Sequence, residues 1–459
     1  MIKFNKLLNT FKNHNMYEEC MNFIGRYNPT VGHCLEPNEV HYNPIDFSTH
    51  YMTTVALESG TISFNILRAM NTDMITSISY SLDEGETWTT VENTDNKSGK
   101  LTINVDVNAD DEILWKGDAK RLGYYDGGEA DGHVGSFFSS TCQFEAKGNI
   151  MSLCYGDDFI REDTLEYDGQ FARLFNDWEM SSDCKVVNAT DLSLPATTLT
   201  KGCYEYMFRN CYGLATAPKL PAENMQERCY YGMFYGCISL KKAPKLPSTE
   251  LRMRCYENMF NGCVLLTDAP DLPATVMDRR SYAYMFTDCI SLINAPELPA
   301  TTLLDSCYEG MFSNCKSLVV SPELPSTILA DSCYNSMFAG CSALTITPSV
   351  LPATLLTYGC YESMFSGCTS LITAPELPAT TLATRCYYGM FRNCSNLNYI
   401  KALFTTTPSN TYTEDWVYGV AESGTFVKNG GAQWDVTGDN GVPSGWTVQT
   451  VDVLIIPGE

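Results

Sequence analysis

Twenty cysteines in 459 residues are the side chains best able to do chemistry in this chain, and their spacing decides which chemistry is open to them. Fifteen fall in a repeating register, paired eight residues apart from Cys203 and Cys211 to Cys386 and Cys394. Zinc sites want close ligand pairs such as C-x-x-C. None occurs, and no histidine lies beyond His133. Cys–His catalysis therefore lacks its base in the repeats. A disulfide within each pair fails at the fourth copy, where Ser281 replaces the first cysteine and leaves Cys289 alone. The reading that remains is packing, since a buried thiol behaves as a small apolar group.

Other candidates are weaker. The run Tyr124 to Val134 is rich in glycine and acid and could offer calcium Asp126, Glu129 and Asp131. Its spacing matches no EF-hand loop, so a solvated loop is the expectation. His14, His33, His41 and His50 share no ligand spacing. Glu297, Glu323 and Glu376 recur at one repeat position, which suits a solvated row and not the paired carboxylates of a polysaccharide depolymerase. Ser81 to Trp88 (SLDEGETW) is similar to the Asp-box hairpin of sialidase propellers. A sialidase needs several such boxes, so this one is read as a structural turn stabilised by its Asp and Gly.

The remaining chemistry is charge. The net charge of −24 argues against general nucleic-acid binding. Residues 201 to 280 run the other way, with eleven Lys and Arg against eight Asp and Glu. Arg228, Arg254 and Arg280 occupy one repeat position, with Arg252 and Arg279 adjoining. Stacked, they form a row of guanidinium forks suited to carboxylate or phosphate groups of an acidic surface glycan. The alternative is that Glu227, Glu250 and Asp278 neutralise the row as ordinary surface pairs. If the row is not used, the aromatic positions Tyr231 and Tyr388 are the next candidates.

The elements that must position these residues come from a repeat, L-P-A-T-x-L-x-x-x-C-Y-x-x-M-F-x-(G/N)-C-x-x-L-x-x-A-P. Its Cys-Tyr pairs begin at Cys203, Cys229, Cys255, Ser281, Cys307, Cys333, Cys360 and Cys386, a spacing of 26 with a single 27. Tyr204, Met207, Phe208 and Cys211 follow Cys203 at offsets that share one face of a helix. The spacing therefore predicts a helix of one to two turns in each copy. It stops at Asn210 and its counterparts, residues that tolerate the left-handed conformation. A leucine then opens a short extended stretch, Leu214 to Leu397 through the copies, closed by proline. Neither element can bury its own apolar face, so neighbours must stack.

Strands are expected upstream at 62–66, 75–80, 101–105 and 113–115, where apolar and polar residues alternate between turn clusters. The fold class is thus an α+β repeat protein, a leucine-rich-repeat-type solenoid with a small N-terminal β-sandwich. Its expected parts are an attachment segment (1–52), the sandwich (53–135), a cap with an incomplete repeat (136–195), eight repeats (196–400) and a C-terminal cap segment (401–459). No window approaches the ~18 apolar residues of a membrane span, and the start lacks a signal-peptide core.

The repeat, together with Gly424–Lys428 and Pro443–Val448, resembles the BspA-like leucine-rich repeats of surface proteins of Bacteroidota and their phages, over about residues 190 to 446. The resemblance implies adhesion or receptor recognition without catalysis or cofactor. It points to a phage tail or fibre component of the virion, or else to a bacterial cell-surface adhesin. The implied partners are a bacterial surface glycan or protein receptor and, through the N-terminal region, other virion proteins, with no nucleic acid and no membrane insertion.

Overall fold

The computed structural model describes residues 27–28, 33–34, 47–68, 77–93, 99–118, 122–125, 133–176 and 184–452. They fall in two compact units, Met1–Asp46 and Phe47–Glu459. In the first, β1 (Tyr27–Asn28) pairs antiparallel with β2 (His33–Cys34). Asp126, Glu129, Asp131, His14 and His41 lie outside the described residues.

The second unit begins with two larger sheets and a two-stranded one. Its strands are β3 (Met52–Ala56), β4 (Gly60–Arg68), β5 (Ser77–Ser81), β6 (Thr89–Glu92), β7 (Gly99–Val107), β8 (Glu112–Gly117), β9 (Gly123–Tyr125), β10 (His133–Gly135), β11 (Phe137–Ser140), β12 (Phe144–Asn149), β13 (Val186–Asn188) and β14 (Leu192–Ser193). One sheet has the order β11-β4-β7; the other runs β13-β12-β3-β8-β5-β6, with β14 also on β12. Strand β7 shows why: Ile103, Val105 and Val107 are buried while Thr102, Asn104 and Asp106 face solvent, the period of two that a half-buried strand needs. Rings from the two sheets meet at Trp115, whose centroid is 6.0 Å from Phe64 and 5.4 Å from Phe138.

The Ser81–Trp88 turn joins β5 to β6 as an antiparallel hairpin. Asp83 accepts from the Thr87 amide at 2.8 Å and from the Thr87 hydroxyl at 2.6 Å, and the Ser81 hydroxyl donates to it at 2.8 Å. Led by the Thr87 hydroxyl, these bonds lower the Asp83 carboxyl to about 2. The box is a turn-holding device.

The repeats follow without a break. Strand β12 pairs in parallel with β13 and β14, and Asn188 then bridges to Thr216, beginning a ladder that steps from repeat to repeat. Thr216–Lys242, Asp268–Asn294, Asn294–Val320 and Val320–Ile346 continue it. The extended stretch of each copy is thus a single bridge long.

The expected helices do not form. In the second repeat, alternate amides close turns three residues back: Tyr231 to the Arg228 carbonyl at 3.1 Å, Met233 to Tyr230 at 3.2 Å and Tyr235 to Gly232 at 3.0 Å. The amides between them cross to the next repeat: Tyr230 to Cys255 at 3.1 Å, Gly232 to Glu257 at 2.9 Å and Phe234 to Met259 at 2.9 Å. An α-helix would send each amide to the carbonyl four residues back. Here a left-handed residue recurs every four positions and blocks that, as at Arg228, Gly232 and Gly236, or Arg280, Tyr284 and Asp288. Each segment is a chain of β-turns hydrogen-bonded sideways to its neighbours.

These turns point two apolar residues inward per four. The Tyr204-to-Tyr387 column stacks at 5.5–6.1 Å between ring centroids, and the Phe208-to-Phe391 column at 5.5–5.8 Å. Both columns are closed at the ends. Phe171 and Phe175 stack on Tyr204 and Phe208, and Trp416 covers Tyr387 and Phe391. The C-terminal end holds a parallel sheet of β15 (Tyr399–Ala402), β16 (Thr425–Asn429) and β17 (Thr447–Val451).

Candidate functional site: the turn face of the repeats

The cysteines form two buried columns, and the columns do different work. Every second cysteine donates its thiol to a phenylalanine carbonyl in the unit before it: Cys237 to Phe208 at 3.0 Å, Cys289 to Phe260 at 3.1 Å, Cys341 to Phe312 at 3.0 Å and Cys394 to Phe365 at 3.0 Å. The same carbonyl already accepts a turn amide, as Phe312 does from Cys315 at 3.1 Å. The thiol fills its other lone pair. First-column cysteines make no bond to a phenylalanine carbonyl, Cys203 donating weakly to the Cys229 carbonyl at 3.8 Å, and Ser281 at that position has its hydroxyl buried without a partner. Burial pushes the thiols up, Cys229, Cys307, Cys341 and Cys394 to about 12. A thiolate, the reactive form, is thereby suppressed. Among the described residues no group of three His, Cys, Asp or Glu could hold a metal ion.

The arginines of the predicted row stand together on the turn face, each beside an acid of this chain. Arg228, Arg254 and Arg280 all occupy the left-handed position before the inward Cys-Tyr or Ser-Tyr pair. Arg228 grips Glu205 with Nη2 at 2.5 Å and Nε at 3.2 Å, and Glu205 is fully buried. Arg280 reaches Glu257 at 2.9 Å and Glu309 at 2.9 Å, and Arg254 lies 3.6 Å from Glu257. Further out, Arg252 pairs with Glu250 at 3.9 Å and Arg279 with Asp305 at 3.3 Å.

Of the acids expected to neutralise the row, Glu250 does so, while Glu227 pairs with Lys201 at 3.0 Å and Asp278 accepts the Arg279 amide at 2.7 Å. The main counter-charges, Glu205, Glu257 and Glu309, come from alternate repeats. Spacing could have found them: Glu205, Glu257, Glu309 and Glu362 recur 52 or 53 residues apart, a period of two repeats. Of the other acids, Glu297 and Glu323 are exposed and Glu376 pairs with Lys401 at 2.9 Å.

Aromatic rings lie under these cations. The Arg228 guanidinium sits 4.1 Å from the Tyr231 ring and Arg385 sits 4.0 Å from Tyr388. Arg385 also pairs with Glu362 at 2.6 Å. Sequence reasoning missed Arg209, which lies between two tyrosines, 4.7 Å from Tyr206 and 5.4 Å from Tyr235. The face therefore offers aromatic and cationic groups in one strip. One position of the face varies among four residue types, through Glu205, Tyr231, Glu257, Ala283, Glu309, Asn335, Glu362 and Tyr388, with Glu205, Glu257 and Ala283 buried.

The sequence matches the family described as BspA type Leucine rich repeat region, with six copies over residues 203–345 and 280–414. Among solved structures it is similar to a leucine-rich repeat protein from Bacteroides ovatus ATCC 8483, at 13% identity and a TM-score of 0.18, covering 54% of this chain and 86% of that one. No curated protein matches it. No helix among the described residues is long and apolar enough to cross a membrane. The family match and the eightfold register together identify residues 203–414 as a BspA-type leucine-rich repeat region.

Proposed function

We propose that this protein recognises a bacterial surface without catalysis, as a tail or fibre component of a phage virion. One observation carries the reading. The inward residues repeat almost unchanged through eight copies, with thiols suppressed by burial, while the turn-face position that follows each Cys-Tyr or Ser-Tyr pair varies among Glu, Tyr, Ala and Asn. A fixed scaffold with a varied exterior suits display, and extended repeat surfaces bind in this way. The aromatic and arginine content of the strip matches the composition of recognition surfaces. In this reading the receptor is a surface glycan or protein, and residues 1–52 attach the chain to other virion proteins.

Two measurements test it. Labelled full-length protein incubated with Bacteroidota cells should be depleted from solution without release of sugar. Antibody to the chain should then decorate phage tails. Decoration of uninfected cell envelopes instead would make the protein a cell-surface adhesin, and sugar release would make it a depolymerase.

A further inference from the structure

Arg209 differs from the arginines around it. Arg228, Arg254, Arg280, Arg385 and Arg392 each have a carboxylate within 4 Å. Arg209 has none among the described residues, in a chain whose net charge is −24. Its Nε is buried without a hydrogen-bond partner. The nearby acids are engaged, Glu205 by both nitrogens of the Arg228 fork and Glu227 by Lys201.

The surroundings of Arg209 are costly to build. Tyr206 holds φ at 54°, in the left-handed region that a bulky side chain rarely adopts. Its ring fits only because the next repeat has Gly232, where a Cβ would lie 2.4 Å from it. Tyr231 meets the same ring edge-on at 5.1 Å. Strain held in place at one site is a reason to ask what the site does.

The molecule contains its own comparison. Tyr284 has the same left-handed backbone, with Gly310 beneath it at the same 2.4 Å approach. There the tyrosine hydroxyl donates to Glu309, and Arg280 is held by Glu257 and Glu309. The position matching Arg209 is Thr287, which donates to the Gly310 carbonyl at 2.7 Å. The later copy is closed by the chain's own acid; the first has no such acid among the described residues.

We propose that Arg209, flanked by Tyr206 and Tyr235, binds the carboxylate of an acidic saccharide, an inference that rests on the surface-recognition reading above. With Nε buried, the two terminal nitrogens of Arg209 are the fork matched to a carboxylate. The rings, with Tyr212 exposed three residues on, supply apolar surface for the faces of a sugar. An acidic peptide would want several open cations in a line, whereas Arg228, Arg254 and Arg280 are paired with acids and Arg173, 4.7 Å from the Tyr206 ring, is buried.

The test uses the full chain, oligogalacturonate as probe, and calorimetry at low and moderate salt. Oligogalacturonate should bind, more weakly as salt rises, and a neutral galactan of equal length should not. Arg209→Gln should weaken binding at least tenfold with an unchanged melting temperature, and Arg209→Lys, which keeps charge but loses the fork, should fall between. Undiminished binding by Arg209→Gln, or equal binding of a polyglutamate peptide, would overturn the site. Adsorption to cells that survives in Arg209→Gln would also refute it while leaving surface recognition standing, and adsorption by neither protein would refute both.

Discussion

At the scale of single residues, the two cysteine columns separate packing from hydrogen bonding. That the thiols belong to the core was legible from Ser281 and the missing histidines. The donor role of the second column was not, because no local pattern announces a carbonyl 29 residues upstream. Cys341→Ala removes both volume and a thiol bond to Phe312, whereas Cys333→Ala removes volume alone. The first should destabilise more by about 1 kcal/mol, the usual net value of a hydrogen bond, with Cys341→Ser falling closer to wild type; urea unfolding measures this.

The same burial sets an alkaline limit. Below a pH of about 9 both folded and unfolded chains keep the thiol protons. Between about 9 and the raised folded values near 12, only the unfolded chain releases them. Unfolded chain then binds fewer protons than folded, so stability falls as pH rises. With fifteen repeat cysteines contributing, denaturant midpoints should drop steeply above about pH 9. A flat profile to pH 11 would mean the thiols are exposed.

At the scale of the element, the turn chain shows where sequence reading stops. Inward residues at offsets 0, 1, 4, 5 and 8 fit a helix of 3.6 residues per turn almost as well as a period of four. Over two turns the two periods diverge by less than one residue. The left-handed character of Asn210 and its counterparts was readable from residue type, and it holds in all eight copies. What decided against a helix was two more such positions upstream, often occupied by Arg, Ser or Tyr, which carry no left-handed signature. Strands β4, β5, β7 and β8 were legible by alternation, while β3, β6 and β9 to β14 were not.

Stacked turns also make glycine demands that depend on the neighbouring copy. Gly232 and Gly389 have φ of 55° and 57°, so alanine at either meets the same backbone penalty of about 1–2 kcal/mol. At Gly389 the added Cβ meets only the Ser363 hydroxyl, at 3.1 Å; at Gly232 it meets the Tyr206 ring. Gly232→Ala should therefore cost about 1–3 kcal/mol more than Gly389→Ala, the usual range for overpacking. Tyr206→Ser in the same chain should abolish the difference, and thermal melts of the four variants would show it.

At the scale of the whole molecule, a core that repeats without reactive groups supports an exterior free to vary. Alternate-repeat glutamates neutralise most of the arginines on that exterior, and among the described residues none reaches Arg209. The proposed recognition therefore uses the turn face of the array and not the β-sheets of Phe47–Ser193. Amide hydrogen exchange of the full chain, free and bound to purified host envelopes, tests that assignment directly. The prediction is added protection in the first two turn segments, Tyr206–Cys211 and Tyr231–Gly236, with the strands β3 to β8 unchanged. Protection confined to those strands, with the turn segments exchanging as in the free protein, would contradict it.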